Sequence, residues 1–201
     1  MKKLVIFDLD GTLLNTIGDL AVSCNYALKM CGYEPHPVNA YNFFVGNGIM
    51  KLFEAYNINL VSPTHYTPQL IRAVAIARNK GLILPIVWNT GGYERPETIS
   101  LLKGTVDIFL TDAKYLSPDV SREFSHASVY WENCLPAILA MLEITGVPRY
   151  DENGMMKGGV ILRHLVLPGC RNDSVEILRR IAAVIPPKNV VLSLMSQYTP
   201  E

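Results

Sequence analysis

Charge of one sign is not in excess: 18 Lys and Arg stand against 18 Asp and Glu in 201 residues. A neutral chain carries no electrostatic footprint for nucleic acid, so that class of partner is set aside. Long hydrophobic runs are missing too. Although 49% of the residues are apolar, no run reaches the roughly 18 needed to span a membrane. The opening Met1–Phe7 begins like a secretory leader, but Asp8 and Asp10 interrupt its apolar part, so a cytoplasmic location is expected. Cysteine is scarce. Cys24, Cys31, Cys134 and Cys170 show no close spacing, which argues against a zinc or iron–sulfur site and for reduced, packed thiols. The length allows one or two domains with a sizeable core.

What is present is alternation. From Asn57 on, short apolar runs alternate with stretches of helical spacing. The strand candidates are Asn57–Val61, Leu84–Asn89, Val106–Leu110, a run around Val160–Leu167, and Val190–Leu194. The helix candidates are Pro68–Lys80, Pro96–Lys103, Val129–Thr145 with a bend or break at Pro136, and Ser174–Ile185. Gly81 and Gly104 stop the first two. Asp151–Gly158 is polar and reads as a turn or hairpin. Such alternation implies an α/β fold with a parallel sheet and right-handed crossovers.

Ligands of parallel α/β sheets bind beyond the carboxyl ends of the strands. Those ends carry Thr64-His65, Asn89-Thr90, Asp112 to Lys114, and Ser196-Gln197. Arg163 and His164 sit inside their own apolar strand, and adjacent strand residues face opposite sides. A buried Arg needs an anion, met either by an internal salt bridge or by a ligand carboxylate or phosphate. The polar rim as a whole reads equally as loop capping or as a site.

The N-terminal stretch is different. Lys3–Phe7 is a strand candidate, followed at once by Asp8-Leu-Asp10-Gly-Thr12. Two carboxylates two residues apart on an extended end repel unless a cation lies between them, and all-oxygen ligation suits Mg²⁺. Leu20, Ala21, Cys24, Ala27, Leu28 and Cys31 follow at helical spacing, and Asn42–Phe53 opens a second helix. Gly46-Asn-Gly48 is either an anion cradle at that helix start or a turn.

The Asp8-x-Asp10-x-Thr12 motif after an apolar strand resembles the haloacid dehalogenase superfamily of phosphatases, and residues 1–55 look like its phosphoglycolate phosphatase branch. The resemblance implies Asp8 as nucleophile, Asp10 as general acid/base, and Mg²⁺ bound at Asp8 and Asp10. It fades near Ala55, and the later Ser/Thr, Lys and acidic pair of that family have only loose counterparts in Thr90 and Asp112.

Residues 57–200 resemble a second family. Asn57–His65, Pro85–Glu94, Val106–Tyr115, Leu162–Gly169 and Leu194–Pro200 are similar to the radical S-adenosylmethionine superfamily, in its pyruvate formate-lyase activating enzyme-like branch. That resemblance implies a partial (β/α) barrel and an S-adenosylmethionine pocket at Asn89, Thr90, Asp112, Lys114 and Arg163. It also implies a glycyl-radical enzyme as partner. The CxxxCxxC motif that holds the family's cluster is absent, so radical chemistry is not expected of this chain.

The whole chain is therefore read as two joined pieces, residues 1–55 and 56–201. The functional expectations are an activating enzyme-like protein without its chemistry, a Mg²⁺-dependent phosphatase, or a non-catalytic α/β binding domain. Because Asn57–Val61 would otherwise leave an open apolar edge, Lys3–Phe7 is expected to pair beside it in the same parallel sheet.

Overall fold

The computed structural model describes residues 5–7, 34, 37 and 56–196. In chain order the strands are β1 (Val5–Phe7), β2 (Ile58–Val61), β3 (Ile86–Thr90), β4 (Ile108–Asp112), β5 (Arg149–Tyr150), β6 (Met156–Val166) and β7 (Val191–Ser196). The helices are α1 (Thr67–Asn79), α2 (Pro96–Ser100), α3 (Pro118–Ser125), α4 (Tyr130–Thr145) and α5 (Arg171–Val184). Short 3₁₀ turns lie at Pro63–Tyr66 and Pro187–Asn189.

Strands β1, β2, β3, β4 and β6 pair in that order, all parallel, and β7 continues the sheet beyond β6. Among the described strands only the two-residue β5 is antiparallel, closing a hairpin onto the start of β6. Among the described residues the order does not reverse, and no switch point of the kind found in doubly wound sheets is seen. Right-handed crossovers in a sequential sheet send the helices to one face.

That face is the core. Leu60, Trp88, Phe109 and Val160 form one cross-strand row. They pack with Leu70 and Val74 of α1, Ile99 of α2, and Ala137 and Met141 of α4. Leu162 packs with Cys134 and Ile138 of α4 and Ile177 and Ile181 of α5. Truncating a large aromatic in such a row costs about 3–5 kcal/mol. Residues one step along each strand point the other way. Their rows are Asn89, Leu110, Ile161 and Val191, then Asp112, Arg163 and Ser193.

The expected ladder between the N-terminal strand and the first downstream strand is present: Val5 pairs with Ile58, Ile6 with Asn59 and Phe7 with Leu60. Among the described residues no ladder joins β7 back to β1. Of the partial-barrel expectation the described residues show the coarser part, an open, mostly parallel α/β sheet with alternating helices.

Three local readings need correction. Pro136 does not break its helix: α4 runs from Tyr130 to Thr145 with Pro136 inside. A proline in a helix interior costs about 3 kcal/mol, through the missing donor and the ring's clash with the preceding turn, and the buried Cys134, Ala137, Ile138 and Met141 on either side offset it. Helix α3 was not expected, because its composition is polar. Its start is nevertheless written in the chain. Ser117 accepts from the Val120 N–H at 3.5 Å, and Pro118 holds the first helical position. Asp173 of α5 adds two further bonds, from the Leu116 and Ser117 N–H groups at 2.9 and 2.8 Å. Finally, β4 is shifted two residues along from its expected run, and β6 is longer than its own. β4 continues through Thr111 and Asp112, and β6 starts at Met156. Among the described residues no helix is long and apolar enough to cross a membrane.

Candidate functional site

The continuation of β4 puts Asp112 directly opposite Arg163 of β6, on the face away from the helices. Two steps on, Leu165 pairs with Met195 of β7. A polar row is thus followed by an apolar one at the carboxyl ends of the strands. Here lies a cavity of about 290 Å³, lined by Asp112, Lys114, Tyr115, Arg163, Leu165, Leu167 and Met195.

Arg163 is answered from within the chain. Its Nε donates to Asp112 Oδ1 at 2.6 Å, and its Nη2 donates to Asn89 Oδ1 at 2.9 Å. The second oxygen of Asp112 lies 3.7 Å from Lys114 Nζ. A guanidinium has five donors, so three remain for a ligand. One carboxylate between two cations leaves the cluster with a net positive charge. His164 faces the other way. It is 1% exposed, and its Nδ1 lies 2.6 Å from the Ala113 carbonyl. Since only a donor satisfies a carbonyl, Nδ1 carries the proton, and the buried Nε2 has no partner among the described residues.

Four of the residues expected at the pocket therefore meet: Asn89, Asp112, Lys114 and Arg163. The fifth, Thr90, is one residue past Asn89 and points to the opposite side. It is buried, donates to Glu94 Oε1, and accepts the Gly92 N–H at 3.4 Å. Thr64 donates to the same Glu94 oxygen at 2.6 Å. Asp8 and Asp10 lie outside the described residues, as do Cys24, Cys31 and Gln197. In the sequence, Asp8 directly follows Phe7, the last residue of β1.

Sequence reasoning missed Tyr115, Leu165, Leu167 and Met195 as lining residues. The two-residue strand period counted forward from Arg163 would have found Leu165 and Leu167. It also missed Tyr130 and Cys134. Tyr130 is 3% exposed, and its hydroxyl contacts the Lys114 N–H and the Gly91 and Asp112 carbonyls at 3.0, 2.8 and 3.0 Å. Burial pushes this phenol far above its ordinary range, so it stays a donor. The buried Cys134 thiol lies 3.4 Å from the Asp112 carbonyl and is pushed up to about 12, chiefly by burial.

Among the described residues no three His, Cys, Asp or Glu side chains are grouped to hold an ion. Asp112, the loose counterpart of a later Mg²⁺ carboxylate, is committed to Arg163 and Lys114 and does not fit that role. Cys134 is a buried, protonated thiol rather than a ready thiolate.

Comparison with known proteins finds partial matches. Residues 5–86 match the haloacid dehalogenase-like hydrolase family. The phosphoglycolate phosphatase of Psychrobacter arcticus is 43% identical over 53 residues, which is 26% of this chain and 23% of that one. The phosphoglycolate phosphatase of Haemophilus influenzae is 28% identical over 115 residues, 43% of this chain and 51% of that one. The uncharacterized protein MJ0674 of Methanocaldococcus jannaschii is 30% identical over 146 residues, 72% of this chain and 38% of that one. The chain thus spans between about a quarter and about half the length of these relatives.

Proposed function

We propose that the chain is a phosphomonoester hydrolase of the haloacid dehalogenase type, dependent on Mg²⁺ and slow. The observation that carries this reading is the family match over residues 5–86. It contains the Asp8-x-Asp10-x-Thr12 motif directly after a strand that pairs into the parallel sheet. In this reading a carboxylate oxygen of Asp8 attacks phosphorus, and the bond to the substrate oxygen breaks. Asp10 gives that leaving oxygen its proton and later takes one from the water that cleaves the acyl phosphate. The products are an alcohol and inorganic phosphate. Mg²⁺, when bound, would offset the negative charge of the phosphoryl group.

Slowness follows from the rim. Asp112, the loose counterpart of a later family carboxylate, is held by Arg163 and Lys114, and β2 and β3 stand between its strand and β1. Lys114, which follows β4, is separated from β1 in the same way. Loss of one electrostatic stabiliser costs on the order of a hundred- to thousandfold in rate. Hydrolysis of p-nitrophenyl phosphate with and without Mg²⁺ tests the reading. The expected result is a Mg²⁺-dependent turnover well below the usual range of about 1–1,000 per second. Activity that survives Asp8→Asn unchanged would refute it.

A second reading concerns the cavity at β4, β6 and β7. Its cationic row of Arg163 and Lys114 beside apolar Leu165, Leu167 and Met195 suits a ligand with a carboxylate and an apolar or thioether arm, such as S-adenosylhomocysteine, the demethylated form of S-adenosylmethionine. Its volume of about 290 Å³ is at the small end of ligand sites. Radical chemistry is not part of this reading, because no cluster ligands are grouped among the described residues. Calorimetry with S-adenosylhomocysteine tests it, with Arg163→Ala expected to weaken binding and unchanged binding counting against it.

A further inference from the structure

Of the cavity's three side chains from the β4 end, Asp112 is paired with Arg163 and the Tyr115 hydroxyl lies 2.9 Å from Ser125 Oγ, but the backbone that carries Lys114 and Tyr115 needs further support. Lys114 and Tyr115 follow the strand and have no ladder partners. What touches all three is the first residue of α4. The Tyr130 hydroxyl accepts the Lys114 N–H at 3.0 Å, and its proton is shared between the carbonyls of Asp112 at 3.0 Å and Gly91 at 2.8 Å. The Tyr130 ring meets Tyr115 edge-on, with centroids 5.3 Å apart, and on its other side stacks on Tyr93 at 5.9 Å. Such aromatic contacts are worth about 0.5–1.5 kcal/mol beyond burial. Gly92 completes the arrangement. Its φ is +80°, and a Cβ there would stand 2.0 Å from the Asp112 carbonyl oxygen and 2.9 Å from the Tyr130 hydroxyl. The glycine turn after β3 is thereby pressed flat against the end of β4.

We propose that Tyr130 is the positioning residue of the cavity: through one hydroxyl and one ring it sets the directions of Asp112, Lys114 and Tyr115, and hence of the Asp112–Arg163 pair. It does not touch the ligand and acts only through these residues. The proposal depends on the cavity reading above for the ligand's identity alone.

The test reads Lys114 without any ligand, so its failure is distinct from a failure of S-adenosylhomocysteine to bind. Surface lysines of the full chain are acetylated sparingly, and the rate at Lys114 is followed by peptide mass spectrometry. Three proteins are compared: wild type, Tyr130→Phe, and Val74→Ala, a core truncation in α1 that lowers stability away from the cavity. Tyr130→Phe is expected to raise the Lys114 rate about fivefold relative to the other lysines, the population change that one net hydrogen bond carries. Val74→Ala is expected to leave that ratio unchanged. Equal ratios in wild type and Tyr130→Phe, or an equal rise in both variants, would overturn the proposal. Amide exchange on the wild type is an independent readout. The Lys114 N–H should exchange as slowly as those inside β4, and exchange at the rate of an exposed loop would also overturn it.

Discussion

Removing the guanidinium of Arg163 probes the rim most sharply. Arg163→Met keeps the aliphatic stem and takes away two hydrogen bonds, at 2.6 Å to Asp112 and 2.9 Å to Asn89. A hydrogen bond to a charged group contributes about 1.5–3 kcal/mol when sheltered, whereas a fully exposed ion pair contributes about 0–1 kcal/mol. The side chains of Arg163 and Asp112 are 26% and 17% exposed, between those limits and nearer the sheltered one. Asp112 also keeps Lys114 at 3.7 Å after the change, so its charge is not abandoned. A loss of about 2 kcal/mol is expected on this basis. Urea unfolding of the two single variants and of the Arg163→Met/Asp112→Asn double variant isolates the pair. The cycle should give a coupling of about 1–2 kcal/mol. A coupling below about 0.3 kcal/mol, within the additivity expected of independent sites, would refute the claim that these side chains form one unit.

Two other outcomes are expected. Cys134 has a folded-state pKa raised from 9.0 to about 12, so the neutral thiol contributes stability that is complete below pH 9 and lost as pH rises towards 12. Urea midpoints should fall across that window, by at most about 1.4 kcal/mol per pH unit from this group. The fall should be shallower in Cys134→Ala, and an identical slope would remove the assignment. On β7, Leu192 and Leu194 are exposed although they sit on the helix side of the sheet. Leu194→Lys should therefore change stability by no more than about 0.5 kcal/mol while reducing light scattering at high protein concentration, as charges on edge strands do. A large loss of stability would show that this face is covered.

The strands and most helices could be read from the sequence because their apolar periods are strong: Leu70 and Val74 fall on one helical face, and Trp88, Phe109 and Val160 lie in apolar runs. Pairing of β1 with β2 was also expected from the need to cover an edge, and the ladder is there. Helix α3 was hidden because Pro118–Ser125 is short and mostly polar, with Val120 and Phe124 carrying its apolar side, and its start leans on Asp173, 56 residues away. The cavity was half legible. Arg163 was marked by its apolar surroundings, and the alternatives of internal pairing and ligand binding were both open. The geometry supplies the internal partner, Asp112, without using all the guanidinium donors. Thr90 sits beside Asn89 in sequence, but strand alternation separates the two side chains. Tyr130 could not be singled out, because a tyrosine at a helix start gives no sign of the three loop groups that fold around its hydroxyl.

The central claim is that Asp8 accepts a phosphoryl group. The direct measurement is to mix the full-length chain with a phosphomonoester and Mg²⁺, quench in acid, and map the adduct by mass spectrometry of the peptide that contains Asp8 and Asp10. The account predicts a phosphoryl adduct on Asp8 that is lost on treatment with hydroxylamine and is missing in Asp8→Asn. Phosphate release that proceeds with no adduct on Asp8, or an adduct at another residue, would contradict it.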